Sequence, residues 1–121
     1  MLDVNWIREQ PDLVRQALRD RQIDPQPVDG ILSLDEQRRA IIQEVENLKA
    51  ERNAVSKEIG RMRDPAEREA KIQGMRAVGE RISLLDEKLR AVEQELEGLQ
   101  ATLPNIPDPR TPVGKDETEN V

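Results

Sequence analysis

The sequence predicts an all-α fold: a long antiparallel two-helix coiled-coil hairpin, with two short N-terminal helices packed at its base. Three features carry that prediction. Two apolar seams each repeat at alternating spacings of four and three, a short polar turn separates them, and two brief amphipathic segments precede the first seam. A period of 3.5 sustained over several heptads is the pattern of helices that pack along their length.

In chain order, residues 1–22 hold the short helices. Asp3 is placed to cap one containing Trp6 and Ile7, and Pro11 to open another whose apolar face is Leu13, Val14, Ala17 and Leu18. Neither can bury its face alone, so the base of the hairpin, around Ile31, Leu32, Leu99 and Leu103, is the expected partner, with Trp6 as a packing anchor. Asp24-Pro25-Gln26-Pro27 reads as a linker, because proline disfavours helix at its own position and at the one before. Asp29 is the expected cap of the first long helix, 31–63, whose seam is Leu34, Arg38, Ile41, Val45, Leu48, Arg52, Val55, Ile59 and Met62. In Arg63-Asp64-Pro65-Ala66-Glu67, Asp64 can cap, Pro65 suits the first helical position and Glu67 completes a capping box. The second long helix, 65–103, has the seam Met75, Val78, Ile82, Leu85, Leu89, Val92, Leu96, Leu99 and Leu103.

Aligning the basal ends predicts that facing residues have numbers summing to about 133 or 134, as in Leu34 with Leu99, with a slip of one heptad left open. Such a hairpin would project about 50 Å. Residues 104–121, with Pro104, Pro107, Pro109 and Pro112, read as an extended connector, and the stop at Val121 suggests a piece of a longer protein.

Composition narrows the function. The chain has no Cys and no His, which excludes thiolate and imidazole chemistry, and Trp6 as its one aromatic leaves no platform for stacking bases. It has no long apolar run and no signal-peptide pattern, so a cytoplasmic protein without a membrane partner is expected. Abundant Asp and Glu on heptad flanks read as charge balance, with no catalytic or metal-binding residue and no cofactor in this chain.

Charge is uneven. From Lys49 to Arg81, nine basic and six acidic side chains leave +3, so the remainder of the chain, at -6 overall, carries -9. Beside the first seam, Lys49, Asn53, Ser56, Gly60 and Arg63 form a stripe without an acid; Ile72, Arg76, Gly79 and Ser83 form its counterpart on the returning helix. Toward the base the stripes meet Glu46 and Asp86. Each glycine inside a helix costs about 1 kcal/mol relative to alanine. Small residues ringed by donors suit the close approach of a phosphate backbone, read by shape and not by base. Spacing leaves this reading and that of an ordinary solvated flank both open. A protein-interaction or tethering coiled coil without RNA binding is the alternative function.

Several segments bear a resemblance that goes further. Met1-Leu2-Asp3 with Ile7-Arg8-Glu9-Gln10-Pro11-Asp12-Leu13-Val14 resembles the opening of bacterial seryl-tRNA synthetases, as does Leu34-Asp35-Glu36-Gln37-Arg38-Arg39. Ala50-Glu51-Arg52-Asn53-Ala54-Val55-Ser56-Lys57-Glu58-Ile59-Gly60 resembles that family's run on its helical arm. Leu103-Pro104-Asn105-Ile106-Pro107, then Pro112-Val113-Gly114-Lys115-Asp116-Glu117, resembles its connector into a catalytic domain. The resemblance implies the N-terminal tRNA-binding arm of a homodimeric class II ligase that joins serine to its tRNA using ATP and magnesium. It implies an arm that grips the long variable arm and elbow of serine tRNA and presents it to the partner subunit's active site. By position it singles out Arg52, Asn53, Ser56 and Lys57 as RNA contacts, with Arg76, Gly79 and Arg81 on the returning helix. It places the catalytic motifs beyond Val121, so this chain by itself is not expected to be an enzyme.

Overall fold

Asp3 starts the first helix by accepting the Asn5 N–H at 2.9 Å, and α1 follows as Val4–Glu9. The computed structural model describes residues 2–106, and helices are the regular elements among them. Pro11 occupies the first turn of α2 (Pro11–Asp20), where its missing N–H costs nothing. α2 ends in a Schellman motif: Gln22 N–H donates to Arg19 O at 2.8 Å and Ile23 N–H to Leu18 O at 2.9 Å. Gln22 takes the left-handed conformation, φ 59°, that glycine usually fills, and Ile23 packs on the core beside Leu18.

The first long helix, α3 (Pro27–Arg61), begins four residues earlier than expected. Pro27 is its first residue and not part of the linker, since the first helical position tolerates proline's fixed φ and lost donor. Asp24 prepares the entry by accepting the Gln26 N–H at 2.9 Å. Asp29 therefore lies in the first turn instead of capping it, and its carboxylate takes a 2.6 Å bond from Arg15. That bond, more than the 2.8 Å bond to Asp12, pushes the Arg15 guanidinium further above its ordinary range. α3 stops two residues short of Arg63. Asp64 then caps α4 (Pro65–Ala101) through the Ala66 N–H at 3.1 Å, as expected, and α4 ends two residues before Leu103.

By contacts the described chain divides into two units. In the first, residues 2–35 and 96–106, one core gathers Leu2, Trp6, Ile7, Val14, Leu18, Val28, Ile31, Leu96, Leu103 and Ile106. Trp6, 2% exposed, is the anchor that the sequence implied, and Leu32 and Leu99 pack against the cluster. Its indole N–H finds no acceptor among the described residues. Ile106, read as connector, is buried in the same core, and Pro104 and Asn105 before it are exposed; residues 107–121 lie outside the described residues. Asp35 is the buried charge of this unit, 1% exposed and 3.3 Å from Arg8. Gly30 lies close under Leu99: a Cβ there would come within 2.8 Å of Leu99 Cδ1, and that side chain would have to shift.

In the second unit, residues 36–95, the long helices pack on each other through seam positions: Ile41, Val45, Ile82, Leu85 and Val92 are buried. Toward the 62–64 loop the seam thins, with Val55, Ile59, Met62, Met75 and Val78 only half-buried. The register differs from that expected. The cross-helix contacts Gly30 with Leu99, Glu44 with Arg81 and Glu58 with Lys71 pair residue numbers summing to 125–129, about one heptad short of 133 or 134. The helix ends give the reason. Pro27 and Ala101 sum to 128, and Arg61 and Pro65 to 126, so starting the first helix at Ile31 displaced the alignment. Arg52 is thus level with Met75 instead of Ile82, and Arg38 with Leu89 instead of Leu96.

Gln22→Gly relieves the left-handed strain and should stabilise the fold by about 0.5–1 kcal/mol, read as a higher denaturation midpoint. A lower midpoint would mean that the Gln22 side chain makes a contact worth more than the strain.

Candidate nucleic-acid interface

Residues 49–63 contain no buried side chain; Arg52, Val55, Ile59 and Met62 are half-buried and the others exposed. The two flanks of α3 beside the seam differ in sign. Glu44, Glu51 and Glu58 recur every seven residues along one flank, and Lys49 and Ser56 along the other, with Arg63 in the loop past the helix end. The acidic flank is partly closed by ion pairs to α4. Arg81 Nη2 lies 3.1 Å from Glu44 Oε2, its Nε donating to the same oxygen at 3.2 Å, and Lys71 Nζ lies 3.4 Å from Glu58 Oε1.

The other flank is open. Among the described residues, Lys49, Arg52, Lys57, Arg63 and Arg76 make no ion pair. Asn53 and Gly60 continue this flank outward, and Arg76 and Gly79 stand beside it on α4, because like flanks of an antiparallel pair share a side. In the observed register Lys49, Arg52 and Asn53 lie level with Arg76 and Gly79. Ser56 and Gly60 carry the line on along α3, and Arg63 lies in the loop beyond its end. From Lys49 to the end of α3 the line runs about 18 Å.

Of the residues singled out from the sequence, most thus fall on one open surface. Arg81 does not: it sits on the acidic flank, held by Glu44. Lys57 points further around the outside of α3. Ile72, assigned to the open stripe, is half-buried and belongs with the seam. Gly60 and Gly79 have open space where a Cβ would go, so helix packing does not require them. Gly98, far along α4, shares that property, so open glycines alone do not mark the surface. Sequence reasoning passed over the pairing of Glu44 and Glu58, although their spacing with Glu51 was visible. The described residues hold no cluster of three metal-ligating side chains, and none of their helices is long and apolar enough to cross a membrane.

The surface is chemically simple: ammonium, guanidinium, amide and hydroxyl donors on an acid-free strip, without aromatic rings. It can donate to phosphate and ribose oxygens and offers no aromatic ring on which bases could stack.

Comparison with known proteins bears on what would meet it. A family model described as the seryl-tRNA synthetase N-terminal domain matches residues 1–107. A serine–tRNA ligase of Roseiflexus sp. (strain RS-1) is 57% identical over all 121 residues, which cover 28% of that relative. Those of Thermomicrobium roseum and Pelobacter propionicus are 54% and 43% identical over the whole chain, which covers 27% and 28% of them. The chain spans little more than a quarter of the length of these relatives.

Arg52 stands half-buried at a seam position level with Met75, where a cation costs packing. Arg52→Leu should therefore raise the thermal midpoint, by an amount worth about 1 kcal/mol. A fall in the midpoint would show that Arg52 has a structural role.

Proposed function

Because the chain belongs to the seryl-tRNA synthetase N-terminal domain family, we propose that it is the tRNA-binding part of a serine–tRNA ligase. In this reading the open flank of α3 grips serine tRNA at its long variable arm and elbow, through shape and backbone. Lys49, Arg52 and Arg76 supply positive charge on the flank, with Lys57 adding to it from the outer face of α3 and Arg63 from the loop; Asn53 and Ser56 supply donors, and Gly60 and Gly79 let the ribose-phosphate chain come close. Arg81 contributes only by exchanging Glu44 for a phosphate. The observation that carries the proposal is the sign difference between the two flanks, with the cations of one left unpaired while acids of the other are paired.

The rest of the proposal follows the relatives. Residues 1–103 serve as the binding module and 104–121 as the connector to a catalytic domain. That domain would attach serine using ATP and magnesium in a cytoplasmic homodimer. Serine and ATP would then be handled outside these residues, and this chain would set which tRNA is presented.

Two features of binding follow. Affinity should fall steeply with salt, because phosphate contacts release counterions. It should also be higher for serine tRNA than for a tRNA with a short variable arm. A gel-shift titration of the 121-residue chain at several salt concentrations measures both. Arg52→Ala, Asn53→Ala and Lys57→Ala combined should weaken binding and lower the salt slope by about two, with helix content unchanged by circular dichroism. Equal affinity of the triple variant for serine tRNA would place the site elsewhere.

A further inference from the structure

The 62–64 loop carries chemistry that the open flank does not use. Met62 lies just past α3, held there by its N–H to Ile59 O at 3.2 Å. Glu67, Ala70 and Lys71 are spaced to share one face of α4 and, with Met62, line an open pocket of about 260 Å³. Pockets for drug-sized ligands run from about 300 Å³ upward, so this one suits a single small ring system. Its walls are apolar at Met62 and Ala70, and its charged groups are one carboxylate and one ammonium. Through Lys71 it adjoins Glu58, the last acid of the paired flank, and through Met62 it adjoins Arg63, beyond the end of the open flank.

The state of that carboxylate is a separate observation. A capping box would turn the Glu67 side chain back to the Asp64 N–H, yet among the described residues Glu67 makes no hydrogen bond or ion pair. The other acids around the loop are engaged. Asp64 caps through the Ala66 N–H, Glu69 accepts from Gln73 at 2.8 Å, and Glu58 lies 3.4 Å from Lys71. An ammonium has three N–H donors, so Lys71 can still donate into the pocket. Arg61 and Arg63, either side of Met62 in the chain, and Arg68, next to Glu67, make no ion pair among the described residues. A free acceptor beside a donor on apolar walls, with free guanidinium groups on adjacent residues, matches an unpaired nucleobase and its flanking phosphates.

We propose that this pocket reads one unpaired guanine of the bound RNA. Guanine presents two adjacent donors, N1–H and the N2 amino group, to the two oxygens of Glu67, and its O6 to the Lys71 ammonium. Cytosine offers the carboxylate one amino group where guanine offers two donors. Adenine has no oxygen for the ammonium, and uracil turns a carbonyl toward the carboxylate. Met62 supplies the apolar face that an aromatic ring gives in other sites, its thioether being soft and adaptable. Phosphate contacts on the open flank position an RNA without reading it, whereas a base contact carries sequence. A strand leaving that flank at Arg63 turns over the loop to reach the pocket. The inference rests on the tRNA-binding reading of these helices and adds a base contact to it.

The test uses filter binding of the 121-residue chain to two RNA hairpins that share a stem, with serine tRNA alongside. One hairpin has a loop of adenosines; in the other a central adenosine is replaced by guanosine. The guanosine loop should bind about fivefold more tightly, the lower end of what a bidentate base contact supplies, because the pocket is open to water. Glu67→Gln keeps the shape of the side chain but replaces one acceptor oxygen with a donor. It should bring the two hairpins to equal affinity, with helix content unchanged by circular dichroism. Equal or undetectable binding of the two hairpins, or a preference that survives Glu67→Gln, would overturn the pocket and leave the tRNA reading standing if serine tRNA still binds. Failure of the unsubstituted chain to bind any of the three RNAs would overturn both.

Discussion

The alignment of two antiparallel helices is the constraint on which the remainder depends. Asp64 caps α4 and Pro65 opens it, so the reversal takes only the three residues 62–64. A turn that short leaves little freedom in which residues face each other. The register then decides which cation of one helix meets which acid of the other. Glu44 with Arg81 and Glu58 with Lys71 follow from it, as does the gathering of Lys49, Arg52 and Asn53 beside Arg76 and Gly79. Shifting the helices by one heptad would leave the helix content unchanged and dissolve this arrangement. The surface is thus a product of alignment more than of any single side chain.

The energetics of the two units differ in kind. The first has a true core, in which Trp6, Leu2, Ile7, Val14 and Leu18 lose nearly all contact with water, each such burial being worth about 1.5–3 kcal/mol. Its polar links, Arg8 with Asp35 and Arg15 with Asp12 and Asp29, tie the short helices to the start of α3. The second has only the seam, which thins toward the loop, where flank residues face solvent. Exposed ion pairs there add at most about 1 kcal/mol each. Their effect is more on which face stays charged than on stability. Arg52 fits the same logic, a half-buried cation accepted in the seam where an aliphatic side chain would pack better.

The helices, the turn and the anchoring role of Trp6 were legible because each rests on local chemistry: a 3.5-residue period, an Asp-Pro cap, one large apolar side chain needing cover. The start of α3 was not, since Pro27 reads equally as the end of a linker or as a first helical residue, and only the Asp24 turn before it decides. The shift of about one heptad, a slip that the seam spacing left open, follows from that one ambiguity, propagated along the helix. Arg81 shows a different limit. Its charge was visible, but its commitment to Glu44 depends on alignment across 37 residues of chain. The stripe from Lys49 to Gly60 could be read without the partner helix, because residues seven apart on a helix share a face; Arg63 could not, since α3 ends before it.

The central claim is that one flank of α3 faces RNA and the other does not. The chain has no cysteine, so a single one can be introduced at Ser56 or at Glu51 and armed with a photocrosslinker. On irradiation with serine tRNA, the account predicts strong cross-linking from position 56 and little from position 51. Strong cross-linking from 51 with none from 56 would contradict it.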